Sequence, residues 1–154
     1  MFKLKFIIFL VILCMAPHSH AELNIEPIEK EVMASFESLV QASQDLDSEG
    51  YFEHIDAEKF VGLNSDGTNW NSINDLKPLI EGGFAFVEKV ILLEFTNVKI
   101  SVINQSTAIL VNEYKQSMKL KNGNIVNVAG GGTQVWSNQQ GRWKLVSISA
   151  SNKP

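Results

Sequence analysis

Four β-rich runs follow one another with only short turns between them: Val90 to Ile103, Thr107 to Met118, Ile125 to Trp136 and Arg142 to Ser149. The separators are Asn104-Gln105, Asn122-Gly123 and Gln139-Gln140-Gly141. Strands joined by so few residues pair antiparallel, because a parallel partner needs a crossover of a dozen residues or more. Asn122-Gly123 is the strongest of the turn signals, since both residues accept left-handed backbone angles. The second half of the chain therefore reads as an antiparallel meander.

That meander is not flat. Ile91, Leu93 and Phe95 alternate on one parity, and Val98, Ile100 and Val102 continue on the other. A strand changes faces only by taking in an extra residue, which predicts a bulge near Thr96-Asn97. Gly130-Gly131-Gly132 in the third run permits further curvature.

A curved sheet needs a partner for its apolar face. Between Asn24 and about Asp47 the apolar residues Ile25, Ile28, Val32, Phe36, Leu39, Val40 and Leu46 recur at spacings that form one stripe of a helix. Pro27 falls where a first turn tolerates it, and Gly50 is the expected stop. Beyond it come a short second helix or helical turn over Tyr51–Ile55, a short strand over Glu58–Leu63, and a turn at Asn64-Ser65-Asp66-Gly67. Trp70 sits on a second short strand, and a helix capped by Ser72 ends near Gly82-Gly83. The fold class is α+β: a long N-terminal helix packed on a curved antiparallel sheet, giving a cone with an open mouth.

The first residues bear on compartment. Lys3 and Lys5 precede an unbroken apolar run from Phe6 to Met15, Pro17 breaks it, and Ser19-His20-Ala21 places small residues where a signal peptidase cuts. The run is shorter than the roughly 20 residues a membrane-crossing helix needs. We read residues 1–21 as a signal peptide cleaved after Ala21, with no stable membrane insertion afterwards, and residues 22–154 as one exported domain, periplasmic or secreted. Cys14 follows Ile12 and Leu13, too bulky for a lipidation site, and leaves with the peptide. Cleavage removes Lys3 and Lys5, so 13 basic residues fall to 11 against 17 acidic ones and the net charge moves from −4 to −6. Such a surface repels phosphate backbones, and no nucleic-acid partner is expected.

The closing hairpin carries a resemblance. Gly131-Gly132-Thr133-Gln134-Val135-Trp136, then Gly141-Arg142-Trp143-Lys144-Leu145-Val146 to Ser151, resembles the end of the nuclear transport factor 2-like superfamily, in its SnoaL-like branch. The resemblance runs from the first helix to about Ser151 and implies a cone-shaped, cystatin-like α+β roll that often dimerises through its sheet. Members of the branch often carry histidines after the tryptophan-lysine pair, where this chain has Ser147 and Ser149. The superfamily holds isomerases, cyclases, dehydratases and hydrolases beside adaptors and assembly domains, so the resemblance does not choose an activity.

Candidate site residues follow from what an apolar cone can use. A buried carboxyl has a raised pKa and makes a useful acid or base, which singles out Asp56 and Glu113 as catalytic candidates. His54, the one histidine left after cleavage, is a third. Glu113 neighbours Tyr114 on a strand, and only one of them faces inward; the plainer arrangement packs Tyr114 and leaves Glu113 in solvent. Trp70, Tyr114 and Trp143 are candidates for ligand binding. Asp45-Leu46-Asp47-Ser48-Glu49-Gly50, with Asp56 at the twelfth place, mimics a calcium loop, but its last ligand is aspartate and no exit helix follows. Neither a metal nor a cofactor is expected.

Three readings remain. A binding module holding a small apolar ligand, self-associating through the sheet or both, requires an open cone with few polar groups. An acid–base enzyme of isomerase, dehydratase or hydrolase type requires a carboxyl or imidazole inside it. A structural or partner-binding domain requires a cone filled by its own side chains.

Overall fold

The structure is a computed structural model and describes residues 24–139 and 141–153. Residues 1–21, where the sequence predicts a signal peptide, with Cys14 and the expected cleavage site, lie outside the described residues. Helix α1 (Ile25–Gln44) buries Val32, Phe36 and Leu39 of the stripe that the spacing marks out, with Ala42 beside them, and leaves Ile25 exposed. It ends before Gly50. Leu46 takes the left-handed backbone angle (φ 56°), the Leu46 N–H donates to Ser43 O at 3.3 Å, and the Asp47 N–H donates to Ala42 O at 2.9 Å. That is a Schellman stop built on leucine rather than glycine.

Gly50 instead lies inside α2 (Ser48–Glu53), where its N–H donates to the capping carboxylate of Asp47 at 3.0 Å. Two short strands follow, β1 (Val61–Leu63) and β2 (Asn69–Trp70), then α3 (Ile73–Phe86). The Ser72 cap is where the sequence puts it, but α3 runs through Gly82-Gly83 to Phe86 and passes directly into β3. Burial of Leu76 and packing of Ile80 outweigh the weak helix preference of the glycines.

The long strands are β3 (Val87–Asn104), β4 (Thr107–Leu120), β5 (Ile125–Gln139) and β6 (Arg142–Asn152), paired antiparallel in sequence. The sheet has six strands in the order β2-β1-β6-β5-β4-β3. It is mixed rather than wholly antiparallel, because β1 adds to the edge parallel to β6, Val61 opposite Ser147. The segment from α2 to β1 gives the chain length to arrive in that direction.

The bulge stands at the expected place. Thr96 pairs with Glu113 and Lys99 with Val111, and Asn97 sits between them in the left-handed region (φ 52°). Val98 and Ile100 thereby return to the core beside Phe95. The core packs α1 against one end of the sheet: Leu110, Trp136 and Leu145 are fully buried with Val32, and Phe60 and Leu76 close the sides. Trp136 satisfies its indole N–H on Gln134 Oε1 at 2.9 Å. Among the described residues no helix is long and apolar enough to cross a membrane.

The left-handed angle at Asn97 generates a prediction. Asn97→Val forces a β-branched residue into that region and should cost about 1–2 kcal/mol. Asn97→Gly should cost clearly less. Urea unfolding of the two variants, at equal slope, checks the order.

Candidate functional site

Along each long strand the inner face changes character. On β4, Ala108 and Leu110 are sealed in the core, and the next inward positions are Asn112, Tyr114 and Gln116. On β5 the inward series from Trp136 continues through Gln134 and Gly132 to Val128. On β6, Leu145 gives way to Ile148, Ala150 and Asn152. Bulky side chains fill one end of the cone, and glycine, alanine and amides leave the other open.

The opening is a cavity of about 450 Å³. Phe36, Leu39, Val40 and Ser43 of α1 form one wall, with Tyr51 from α2, Ile80 and Phe84 from α3, and Leu93 and Phe95 from β3. Asn64 and Ser65, in the turn after β1, complete the rim. Edge-on contacts between Phe36 and Phe95 (5.1 Å between centroids) and between Tyr51 and Phe84 (6.0 Å) tie the helices and sheet together around it.

Two glycines shape this space. Gly132 lies opposite Asn112, and a Cβ there would stand 3.3 Å from Asn112 Oδ1. Gly130 lies opposite Tyr114, and a Cβ there would collide with Ser151 O and stand 2.6 Å from the Tyr114 hydroxyl. The Tyr114 ring therefore lies across Gly130 towards β6. Its hydroxyl donates to Asn152 Oδ1 at 2.6 Å, with Ser151 O at 3.3 Å, and Asn152 Nδ2 donates to Ser65 Oγ at 3.1 Å. This chain of bonds fastens the rim from β4 to the turn after β1.

Asn112 is different. It is 7% exposed, and its Oδ1 is buried without a hydrogen-bond partner. Leaving a buried acceptor unpaired costs about 1–3 kcal/mol. The other polar groups at the cavity are uncharged: amides, hydroxyls and two phenols. Burial pushes the Tyr51 phenol up to about 12 and raises that of Tyr114, so both remain protonated and neutral at ordinary pH.

The carboxyl and imidazole candidates lie elsewhere. Asp56 closes a turn outside the cone, its Oδ1 accepting from the N–H groups of Glu58 and Lys59, each at 3.0 Å. Glu113 points to the face opposite Tyr114. It accepts from Asn97 Nδ2 at 2.8 Å and pairs with Lys153 at 3.2 Å, contacts that hold its carboxyl below the usual range.

His54 caps the end of α2, where burial first and the Lys144 charge second hold its imidazole below its ordinary value. The Lys144 ammonium itself donates to Glu53 O. Asp47, at the third place of the calcium-like segment, is occupied as a cap. Among the described residues no three His, Cys, Asp or Glu side chains converge as a metal site needs.

Of the ligand-binding candidates, Tyr114 lines the cavity. Trp143 is in the packed core, 5% exposed, its indole N–H donating to Glu31 Oε2 at 2.9 Å. Trp70, on the edge strand β2, stacks on Phe60 at 6.4 Å and shares a shallow hollow with Ser147 and Ser149 of β6. The residues that the sequence reading missed are Asn112, Gln116, Gln134 and Asn152. One signal could have found the first of them: Asn112 shares the parity of Tyr114 and faces the glycine run.

The matched family decides the affiliation. The SnoaL-like domain family matches residues 32–153. The chain belongs to the SnoaL-like family. No curated protein matches it in sequence. Among solved structures, this SnoaL-like chain is similar to a candidate dehydratase of the nuclear transport factor 2-like family from Streptomyces avermitilis, with 17% identity and a TM-score of 0.73 over 83% of this chain and 97% of that one.

It is also similar to a nuclear transport factor 2-like superfamily protein from Salmonella enterica, with 12% identity and a TM-score of 0.75 over 84% and 94% of the two chains. The association domain of the C. elegans calcium/calmodulin-dependent protein kinase II is 18% identical, with a TM-score of 0.66 over 82% and 96%. At these identities the likeness establishes the shared fold, an α+β cone, and no activity.

The close approach at Gly130 is testable. Gly130→Ala should destabilise the domain by about 2 kcal/mol or more, because the obstacle is backbone. At Gly131 the nearest atom to an added Cβ is Asn112 O at 3.4 Å, and Gly131→Ala should cost less than about 1 kcal/mol. Denaturant unfolding separates the two.

Proposed function

We propose that this SnoaL-like domain is an exported binding module that holds a small, largely apolar ligand in the open end of its cone. The observation that carries the reading is the cavity of about 450 Å³ with an unpartnered buried acceptor, Asn112 Oδ1, at its wall. A cone filled by its own side chains would have neither the space nor the unsatisfied group. Aromatic and aliphatic side chains from three helices and four strands supply the apolar surface, as small-molecule sites usually do. The polar contacts fix orientation. Export rests on the tripartite pattern of residues 1–21.

The acid–base reading has less support. Asp56, Glu113 and His54 stand outside the cavity, and no carboxyl, imidazole or amine is among its described lining residues. A proton carrier for a substrate in the cone would have to be a tyrosine, and burial raises both phenols away from neutrality. Self-association has an observation of its own. Val111 and Ile103 lie on the face of the sheet away from the cone and are 41% and 53% exposed, an apolar area that a second copy would cover.

Native mass spectrometry of the protein purified from its own cells tests these points together. We expect a chain lacking residues 1–21, carrying a non-covalent adduct that is released on denaturation. Ala150→Phe, which fills the cone, should abolish the adduct, and Val111→Lys should reduce any dimer peak. An adduct retained by Ala150→Phe would overturn the cone as its site. An uncleaved chain would overturn export.

A further inference from the structure

A second hollow adjoins the cone. It measures about 290 Å³ and runs between α3 and the start of β3 and end of β4, lined by Leu46, Leu79, Phe86, Val90, Met118 and Leu120 among others. The two hollows share Ser43, Ile80, Phe84 and Gln116 in their walls. No charged side chain is among the described residues lining either one. Phe86 is 73% exposed and Leu79 52%, so the outer groove presents apolar surface to water. Gly83 of α3 lines it, and an added Cβ there meets nothing within 4 Å.

Polarity runs the opposite way along this path. The buried end holds Asn112 with its unpaired Oδ1, and the outer end is hydrocarbon. We infer that the cone and the groove form one continuous site for an elongated, uncharged amphipathic molecule, whose hydroxyl-bearing head enters first to meet Asn112 and whose hydrocarbon tail leaves along α3. The inference rests on the cone being a ligand site and adds the class of ligand.

A carboxylate or ammonium head would lose its hydration inside the cone without gaining a counter-charge, which the lining does not supply. A hydroxyl both donates and accepts, and so satisfies the Asn112 amide at modest desolvation cost. The tail occupies the groove because the groove is continuous with the cone and would otherwise leave its apolar walls in water.

Calorimetric titration of the full mature chain with 1-hexanol, 1-decanol, decanoate and decylammonium at neutral pH tests this. Each buried methylene strengthens binding about fourfold, so 1-decanol, with four more of them, should bind roughly 250-fold more tightly than 1-hexanol. Decanoate and decylammonium should bind at least roughly thirtyfold more weakly than 1-decanol. Gly83→Leu fills the groove in open space and improves helix propensity, so it should fold. It should cut the decanol-to-hexanol affinity ratio by tenfold or more, and the exposed-site variant Phe86→Gln should lower it in the same direction.

Failure of 1-hexanol to bind at all would sink the cone itself. If 1-hexanol binds and the ratio is the same in Gly83→Leu as in wild type, the cone survives and the continuous site is overturned. Equal binding of decanoate and 1-decanol would overturn the uncharged class. An effect of Gly83→Leu on dimer mass without an effect on the ratio would assign the groove to a second copy and overturn the tail's place.

Discussion

A single helix is laid across a sheet larger than it can cover, and the rest of the molecule follows from that mismatch. Helix α1, at 20 residues, is about 30 Å long. Strand β3, at 18 residues, has a path of about 60 Å. The left-handed turn at Asn97 bends β3 around the helix and returns Val98 and Ile100 to the core side, so burial is complete at one end. At the other end the helix has stopped at Gln44, and the concave face continues without it. Helix α3 and the turn after β1 wall that remainder but do not fill it.

What lines the uncovered part is therefore the informative chemistry of the chain. An apolar cone left open to water would favour collapse or aggregation, and the protein instead places amides, hydroxyls and glycines at the inward positions of β4, β5 and β6. The glycines act by absence: Gly130 lets Tyr114 lie flat and reach Asn152, and Gly132 makes room for the Asn112 amide. The rim is then held by neutral hydrogen bonds, while the charged groups Glu113, Lys153 and Lys144 are kept on outer surfaces. Stability is given up at Asn112, where an acceptor is buried without a partner, as the proposed ligand site would require.

The architecture was legible in the sequence because it depends on periodicity. The stripe from Val32 to Leu39 and the parity change after Phe95 are patterns of period 3.6 and 2, and each can be satisfied in one way. Termini of elements were less legible. Gly50 is a better helix stop than Leu46 by propensity, yet the apolar groove beside Leu46 repays its strained angle.

The parallel pairing of β1 with β6 carries no local signal at all, since it joins segments more than 80 residues apart. The site was the least legible part. Asp56, Glu113 and His54 attract notice as titratable groups, but which parity faces the cone is decided by packing, and that puts Glu113 outside and Asn112 and Tyr114 inside. Trp143 shows the same limit: its size suggests a pocket wall, and the core takes it.

If the cone is a ligand site, the Asn112 amide waits for a partner that is not part of the chain. The most direct measurement is the unfolding free energy of the ligand-free protein with Asn112→Leu, a substitution of similar volume. If the acceptor has no partner within the protein, the variant gains stability by about 1 kcal/mol or more. A loss of about 2 kcal/mol would mean that the amide is satisfied inside the fold, and it would contradict the account.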